Sequence, residues 1–230
     1  MSDWLPPEAW AAVQLSLKVS LWATLISLPF GVLVAYALAR WQFPGKALLN
    51  GLVHLPLILP PVVTGYLLLL TFGRNGPVGR FLYETFGVTF AFNWTGAALA
   101  AGVMAFPLLV RPMRLSIESL DRGLEEAAAT LGANRISRFV TISLPLVLPG
   151  IIAGAVLGFA KALGEFGATI TFVSNIPDET RTLSLAIYSL LQSPAGDKSA
   201  LILIAMSAIL AIGSVVLAEW IGRRIGRDRA

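Results

Sequence analysis

Five stretches of this chain carry no Lys, Arg, Asp or Glu: residues 19–39, 47–73, 85–110, 139–160 and 199–218. A helix rising 1.5 Å per residue needs about 20 apolar residues to cross a bilayer core. Each stretch reaches that length. A backbone in lipid must bond its polar groups within its own segment, so these spans are expected to be helices. Short alternating segments of a membrane β-barrel are not seen. In the third stretch, 87–94 reads as a loop or an interfacial approach, leaving 95–110 as its membrane core. Composition points the same way: of 230 residues 56% are hydrophobic and 13% charged, against about 25% charged in an ordinary soluble domain. A soluble core of this size could not hide so much apolar surface. The expected class is an all-α integral membrane protein, one transmembrane domain over 1–230.

Basic residues set the orientation. Arg40 and Lys46 lie between the first two spans. Arg111, Arg114, Arg122, Arg135 and Arg138 lie between the third and fourth, and Arg223, Arg224, Arg227 and Arg229 follow the fifth. These regions fall on one side of a five-span chain. The other side has Arg74, Arg80, Arg181 and Lys198, diluted by Asp3, Glu8, Glu84, Asp178, Glu179 and Asp197. The N-terminus is therefore expected outside and the C-terminus in the cytoplasm. The net charge of +4 is read as cytoplasmic loops rather than a nucleic-acid surface. The acidic start does not resemble a cleaved signal peptide. Residues 6–16 suggest an interfacial helix leading into the first span, with Lys18 snorkelling.

Chemistry is sparse. With no Cys and one histidine, His54, thiolate metal sites and a two-histidine cluster are excluded. Gly45-Lys46 lacks the upstream glycine and following hydroxyl of a phosphate-binding loop, so ATP is not expected to be hydrolysed by that route here.

Residues 118–145 carry the sharpest pattern. Leu124, Ala127, Ala128 and Leu131 recur at helical spacing on one face. Asp121, Glu125 and Glu126 suit the positive end of that helix. Gly132 is placed to end it, and Asn134 to cap the next. Pro145 and Pro149 should interrupt or bend the following span. A short amphipathic helix of this kind either lies on lipid or docks into a partner's groove. Its alanines, and the lack of Trp or Phe anchors, favour docking.

Glu126-Ala127-Ala128, three residues, Gly132, nine residues, Ile142 and then Leu144-Pro145 resembles the EAA loop of ABC-importer permeases. The run from Leu55 to Tyr66 resembles a molybdate-permease segment. So does Leu163-Gly164-Glu165-Phe166-Gly167-Ala168-Thr169, followed by Phe172 to Pro177. The Gly-Glu-aromatic-Gly element is also similar to the sulfate permeases, so the resemblance implies import of an oxyanion, molybdate first, with tungstate or sulfate and thiosulfate as alternatives. The resemblance implies the type I importer permease fold, methionine-importer-like, with about five spans and a cytoplasmic coupling helix. It implies that Glu125, Glu126, Ala127, Ala128, Leu131, Gly132, Ile142, Leu144 and Pro145 meet a cytoplasmic ATPase subunit, which binds ATP and Mg. It implies further partners: a second copy of the chain and a periplasmic or surface-anchored molybdate-binding protein. The location implied is the bacterial inner membrane.

Within the spans, Pro56, Pro60 and Pro61 interrupt the second one. That is either a packing kink or a broken helix along a translocation route. Thr64, Thr169 and Ser174 are candidate hydroxyl donors along the pathway. Glu165, paired with Lys161 at i, i+4, is either functional or structural, and the structural pair is favoured. Gly150, Gly154 and Gly158 share one helix face and should let helices approach, within a subunit or across a dimer. The segments 166–177 and 182–196 are apolar but too short to span upright, so they should be re-entrant or short outer helices. Three other classes compete with this one. An ion-coupled carrier predicts buried coordinating acids, and Glu165 alone is near that description. A membrane enzyme predicts acid pairs, nucleophiles or metal ligands at depth. A scaffold leaves the loop spacing to chance.

Overall fold

A computed structural model describes residues 7–193 and 196–227. Every regular element among them is helical: α1 (Pro7–Arg40), α2 (Lys46–Ile58), α3 (Pro61–Phe72), α4 (Pro77–Phe86), α5 (Trp94–Glu118), α6 (Arg122–Thr130), α7 (Arg135–Arg138), a π-helical turn (Phe139–Ser143), α8 (Leu144–Leu163), α9 (Gly167–Val173), α10 (Leu183–Leu191) and α11 (Asp197–Arg227). Among the described residues four helices are long and apolar enough to cross a membrane, and five if the bent pair α2–α3 is counted as one span.

The helix α5 sits at the centre, against α1 and α8 along most of its length and against α2, α3 and α9. Its sequence explains this position. Ala97, Ala98, Ala100, Ala101, Gly102, Met104 and Ala105 are all buried, so neighbouring backbones come close from several sides. Toward one end, Val19, Ala23, Leu68 and Phe172 pack on it. Toward the other, Leu38, Val53, Val147 and Ile151 pack around Leu109 and Met113. A Cβ on Gly154 would run into the Leu109 carbonyl, and one on Gly150 into the Ser116 side chain. The glycine stripe thus packs α8 against α5 inside one chain.

Residues 7–16 are not a separate interfacial helix. They form the first turns of a single 34-residue α1. Ala9, Ala12 and Val13 are buried against Leu183, Ala186 and Leu203, and Ser16 Oγ accepts the Leu183 N–H at 2.6 Å. Protein therefore covers the face that would otherwise lie on lipid. Lys18 stands 3.6 Å over the Trp94 ring, a cation–π contact.

The second span breaks between Ile58 and Pro61, with a bend of 116°. A residue before proline is pushed to extended backbone, and here two such positions are consecutive. Leu59 has ψ 144° and Pro60 ψ 135°. Pro56 does not interrupt the chain; it lies inside α2, which absorbs one lost hydrogen bond. Pro149 likewise lies inside α8. The loop of the third stretch falls at 87–93, as expected, but α4 ahead of it has no counterpart in the sequence reading. Both short apolar segments are short helices. The α9 face of Ala168, Thr169, Phe172 and Val173 is buried, and α10 packs on α1 and α11.

Candidate docking loop and transmembrane breaks

The loop between α5 and α8 is built from local rules. Asp121 caps α6, its Oδ1 accepting the Gly123 N–H at 2.8 Å. Gly132 ends the helix at φ 85°, a left-handed conformation that glycine adopts without strain. The Gly132 N–H donates to the Ala129 carbonyl and the Ala133 N–H to the Ala128 carbonyl, each at 3.0 Å. This is the Schellman pattern, which satisfies carbonyls left open at a helix end. Asn134 Oδ1 then accepts the Ser137 N–H at 2.8 Å and starts α7. Hence α6 ends abruptly and the chain turns back toward the membrane within a few residues.

Most of the described face of α6 is exposed. Leu131 is 88% exposed and Leu124 48%. Glu126, Ala127 and Gly132 are exposed, and Ala128 is half-buried. The Glu125 side chain lies outside the described residues. The remaining loop positions sit elsewhere. Ile142, Leu144 and Pro145 are half-buried at the root of the fourth span, and Leu144 packs on the cluster around Leu109 and Met113. The eight loop residues with described side chains thus fall into a mostly exposed tip and a packed root.

A π turn lies in that root. The Leu144 N–H bonds back to the Phe139 carbonyl, five residues away. Pro145 follows directly. In an α-helix its ring would press on the preceding turn, and the wider turn relieves that pressure without stopping the helix. The fourth span is accordingly continuous over 28 residues, Ile136–Leu163.

Two interruptions meet deeper in the molecule. At Gly164 to Phe166 the chain leaves α8 and begins α9. A Cβ on Gly167 would stand 2.8 Å from the Pro61 Cβ, and one on Gly65 2.5 Å from the Ala168 carbonyl oxygen. The break in the second span therefore packs on the break after the fourth. Glu165 is buried here. Its Oε2 pairs with Lys161 Nζ at 2.6 Å, and its Oε1 accepts the Ala168 N–H at 3.1 Å. One carboxylate thus neutralises a charge on α8 and ties down the start of α9. Thr64 and Thr169 are buried alongside, and Thr64 Oγ1 has no hydrogen-bond partner. Ser174 is exposed at the far end of α9, with φ 65° and ψ −158°, a conformation that costs a non-glycine residue about 1–3 kcal/mol. Thr180 and Arg181 pin the loop beyond it, through Ile176 N and Asn175 Oδ1.

Sequence reasoning passed over several contacts at the α5–α6 junction. Arg40 and Arg114 entered only as markers of orientation. Arg40 Nη2 donates to the Leu120 carbonyl at 3.0 Å. Arg114 pairs with Glu118 at 2.7 Å and donates to Asn50 Oδ1 at 2.8 Å. Leu120 and Asn50 lie 80 and 64 positions from their partners, beyond the reach of any periodicity, whereas Glu118 is at helical spacing from Arg114.

The chain is thus a bundle of apolar helices with a sharp break at Pro60-Pro61 and an exposed short helix on a turned loop. Residues 27–227 match the binding-protein-dependent transport system inner membrane component family, and the chain belongs to it. It is 60% identical to the molybdenum transport system permease protein ModB of Escherichia coli K12, over 97% of each chain. To the protein of that name from Haemophilus influenzae it is 54% identical over 94% of each. The sulfate transport system permease protein CysT of Salmonella typhimurium is 37% identical over 95% of this chain and 80% of its own. Among solved structures, the fold is that of ABC-importer permeases. A bacterial alginate importer aligns with a TM-score of 0.76 at 21% identity, covering 96% of this chain and 80% of that one. The MetNI methionine transporter aligns at 0.68 and 18%, covering 98% and 99%.

Proposed function

We propose that the chain is the membrane subunit of a molybdate importer, working as a homodimer with two cytoplasmic ATPase subunits and a molybdate-binding protein outside. The observation that carries the mechanism is the open face of α6, ended by Gly132 and rooted at Pro145 with the spacing of a coupling loop. The permeases named for molybdenum transport, at 60% and 54% identity, support the substrate over sulfate, whose named permease stands at 37%.

In this reading the N-terminus lies outside and α6 inside, as the distribution of Lys and Arg requires. The tip residues Glu126, Ala127, Ala128, Leu131 and Gly132 enter a groove on the ATPase. ATP and Mg are bound and consumed there. Closure of the ATPase pair moves α6, and the packed root at Ile142, Leu144 and Pro145 passes the motion to α8. The pathway runs between two copies. The meeting breaks at Pro60-Pro61 and Gly164–Gly167, with Thr64, Glu165 and Thr169, border it and provide the place where it opens and closes. This is alternating access driven from a distant site by rigid-body rearrangement. Selectivity belongs to the binding protein, since a tight anion site in the spans would hold its cargo.

The test is uptake of labelled molybdate into proteoliposomes holding this chain, its ATPase and its binding protein. ATP-dependent accumulation that a large excess of sulfate leaves intact is expected. Accumulation of sulfate instead assigns the chain to the other oxyanion, and uptake without ATPase or ATP assigns it to a carrier.

A further inference from the structure

The helix α1 ends at Arg40 beside both legs of the α6 loop. On the entering leg, Arg40 Nη2 donates to the carbonyl of buried Leu120, one residue before the Asp121 cap. On the returning leg, the Tyr36 ring meets Phe139 edge to face, with centroids 6.5 Å apart. Phe139 is the first residue of the π turn. Tyr36 and Arg40 are four residues apart and so lie on one face of α1. From α5, Arg114 reaches Asn50 of α2 while paired with Glu118. The same region therefore also ties the entering leg to the helix that runs into the Pro60 break.

We propose that Arg40 and Tyr36 are positioning residues that grip the two legs of the α6 loop, so that a displacement of α6 carries the inner end of α1 with it. This rests on the permease reading above. The chemistry suits a grip. A guanidinium bond to a carbonyl is charge-assisted and directional, and an aromatic edge-to-face contact holds the second leg without fixing its register. Leu120 and Phe139 bracket α6 and its capping turns. Force applied at the exposed tip must leave through these legs, and α1 holds both. Neither residue belongs to the exposed tip, so their loss should spare docking and damage transmission.

The experiment uses the complete complex in proteoliposomes and reads molybdate taken up per ATP hydrolysed, at equal amounts of assembled complex. For Arg40→Met, assembly persists and the ratio falls about fivefold or more, the scale of a modest coupling between sites. Arg40→Lys retains a charged donor and stays within about twofold of wild type, a rescue that a loss through misfolding would not give. Tyr36→Leu lowers the ratio less, and the double variant loses more than Arg40→Met alone. A wild-type ratio in assembled Arg40→Met overturns the grip. So does failure of both single variants to assemble, because the residues would then serve docking. A wild type that shows no coupled uptake counts against the permease reading, not against the grip.

Discussion

The helices α5 and α6 are both rich in small residues, and they use them in opposite ways. In α5, Ala97, Ala98, Ala100, Ala101 and Gly102 are buried by α1, α8 and α9. In α6, Ala127 and Ala129 are exposed, and Leu131 beyond them is 88% exposed. Small side chains permit close approach in both. In α5 the approach is completed within the chain. In α6 the described apolar side chains are mostly turned outward and the helix is capped at both ends, the face that the proposed function gives to the ATPase. Residue type sets what a surface can do; the contacts already made decide whether that capacity is used.

The comparison can be broken at its firm end first. Gly154→Leu places a side chain where the Leu109 carbonyl stands, so α8 must move off α5. Overpacking of that kind costs about 3 kcal/mol. Most of the folded protein should be lost, measured as monodisperse yield and as a lower melting temperature in detergent. A near-normal melting temperature would mean that the α5–α8 seam tolerates separation.

The paired breaks come next. Glu165→Gln keeps an acceptor for the Ala168 N–H but leaves Lys161, whose side chain is 30% exposed, without its counter-charge. Removing one partner of such a pair should cost about 2 kcal/mol, and replacing both, as Lys161→Met with Glu165→Gln, should recover much of it. Thermal unfolding of the two single variants and the double variant gives the coupling. Additive losses would mean that the pair is incidental.

At the exposed end the effects on stability shrink. Asp121→Ala removes the α6 cap, worth about 1 kcal/mol locally. Hydrogen exchange in α6 should quicken while the global melting temperature stays put. Leu131→Ala should alter stability by no more than about 0.5 kcal/mol, as for other exposed sites, yet weaken ATPase binding measurably in a pull-down titration. If Leu131→Ala destabilises the isolated chain as Gly154→Leu does, the contrast between the helices fails.

Much of this was legible in the sequence, and the legible parts share a cause. The spans, the Gly132 stop, the Asn134 cap and the Pro60-Pro61 break each follow from a rule that acts within a few residues, whereas Asp121 reads as a dipole charge and proves to be the cap of α6. Resemblance supplied the role proposed for the loop, which no local rule yields. The unread parts depend on partners distant in the chain. Residues 7–16 look interfacial until α10 and α11 cover them. Pro145 reads as a helix breaker until the π turn widens ahead of it. Pro56 reads like Pro60, but only Pro60 is followed by a second proline that holds it extended. Helix α4 carries a start signal in Pro77 and a stop signal in Gly87 at its left-handed end, but it is short and lies outside the spans.

The most direct test of the account is co-purification of the ATPase subunit with the wild-type chain and with Gly132→Asp. At φ 85° an aspartate strains the turn and adds charge beside the open face of α6, while a Cβ there would meet no described atom within 4 Å beyond its chain neighbours. The account predicts that wild type retains the ATPase, and that the variant folds normally but loses it or hydrolyses ATP without uptake. A variant that assembles and transports like wild type would contradict the claim that α6 is the docking element.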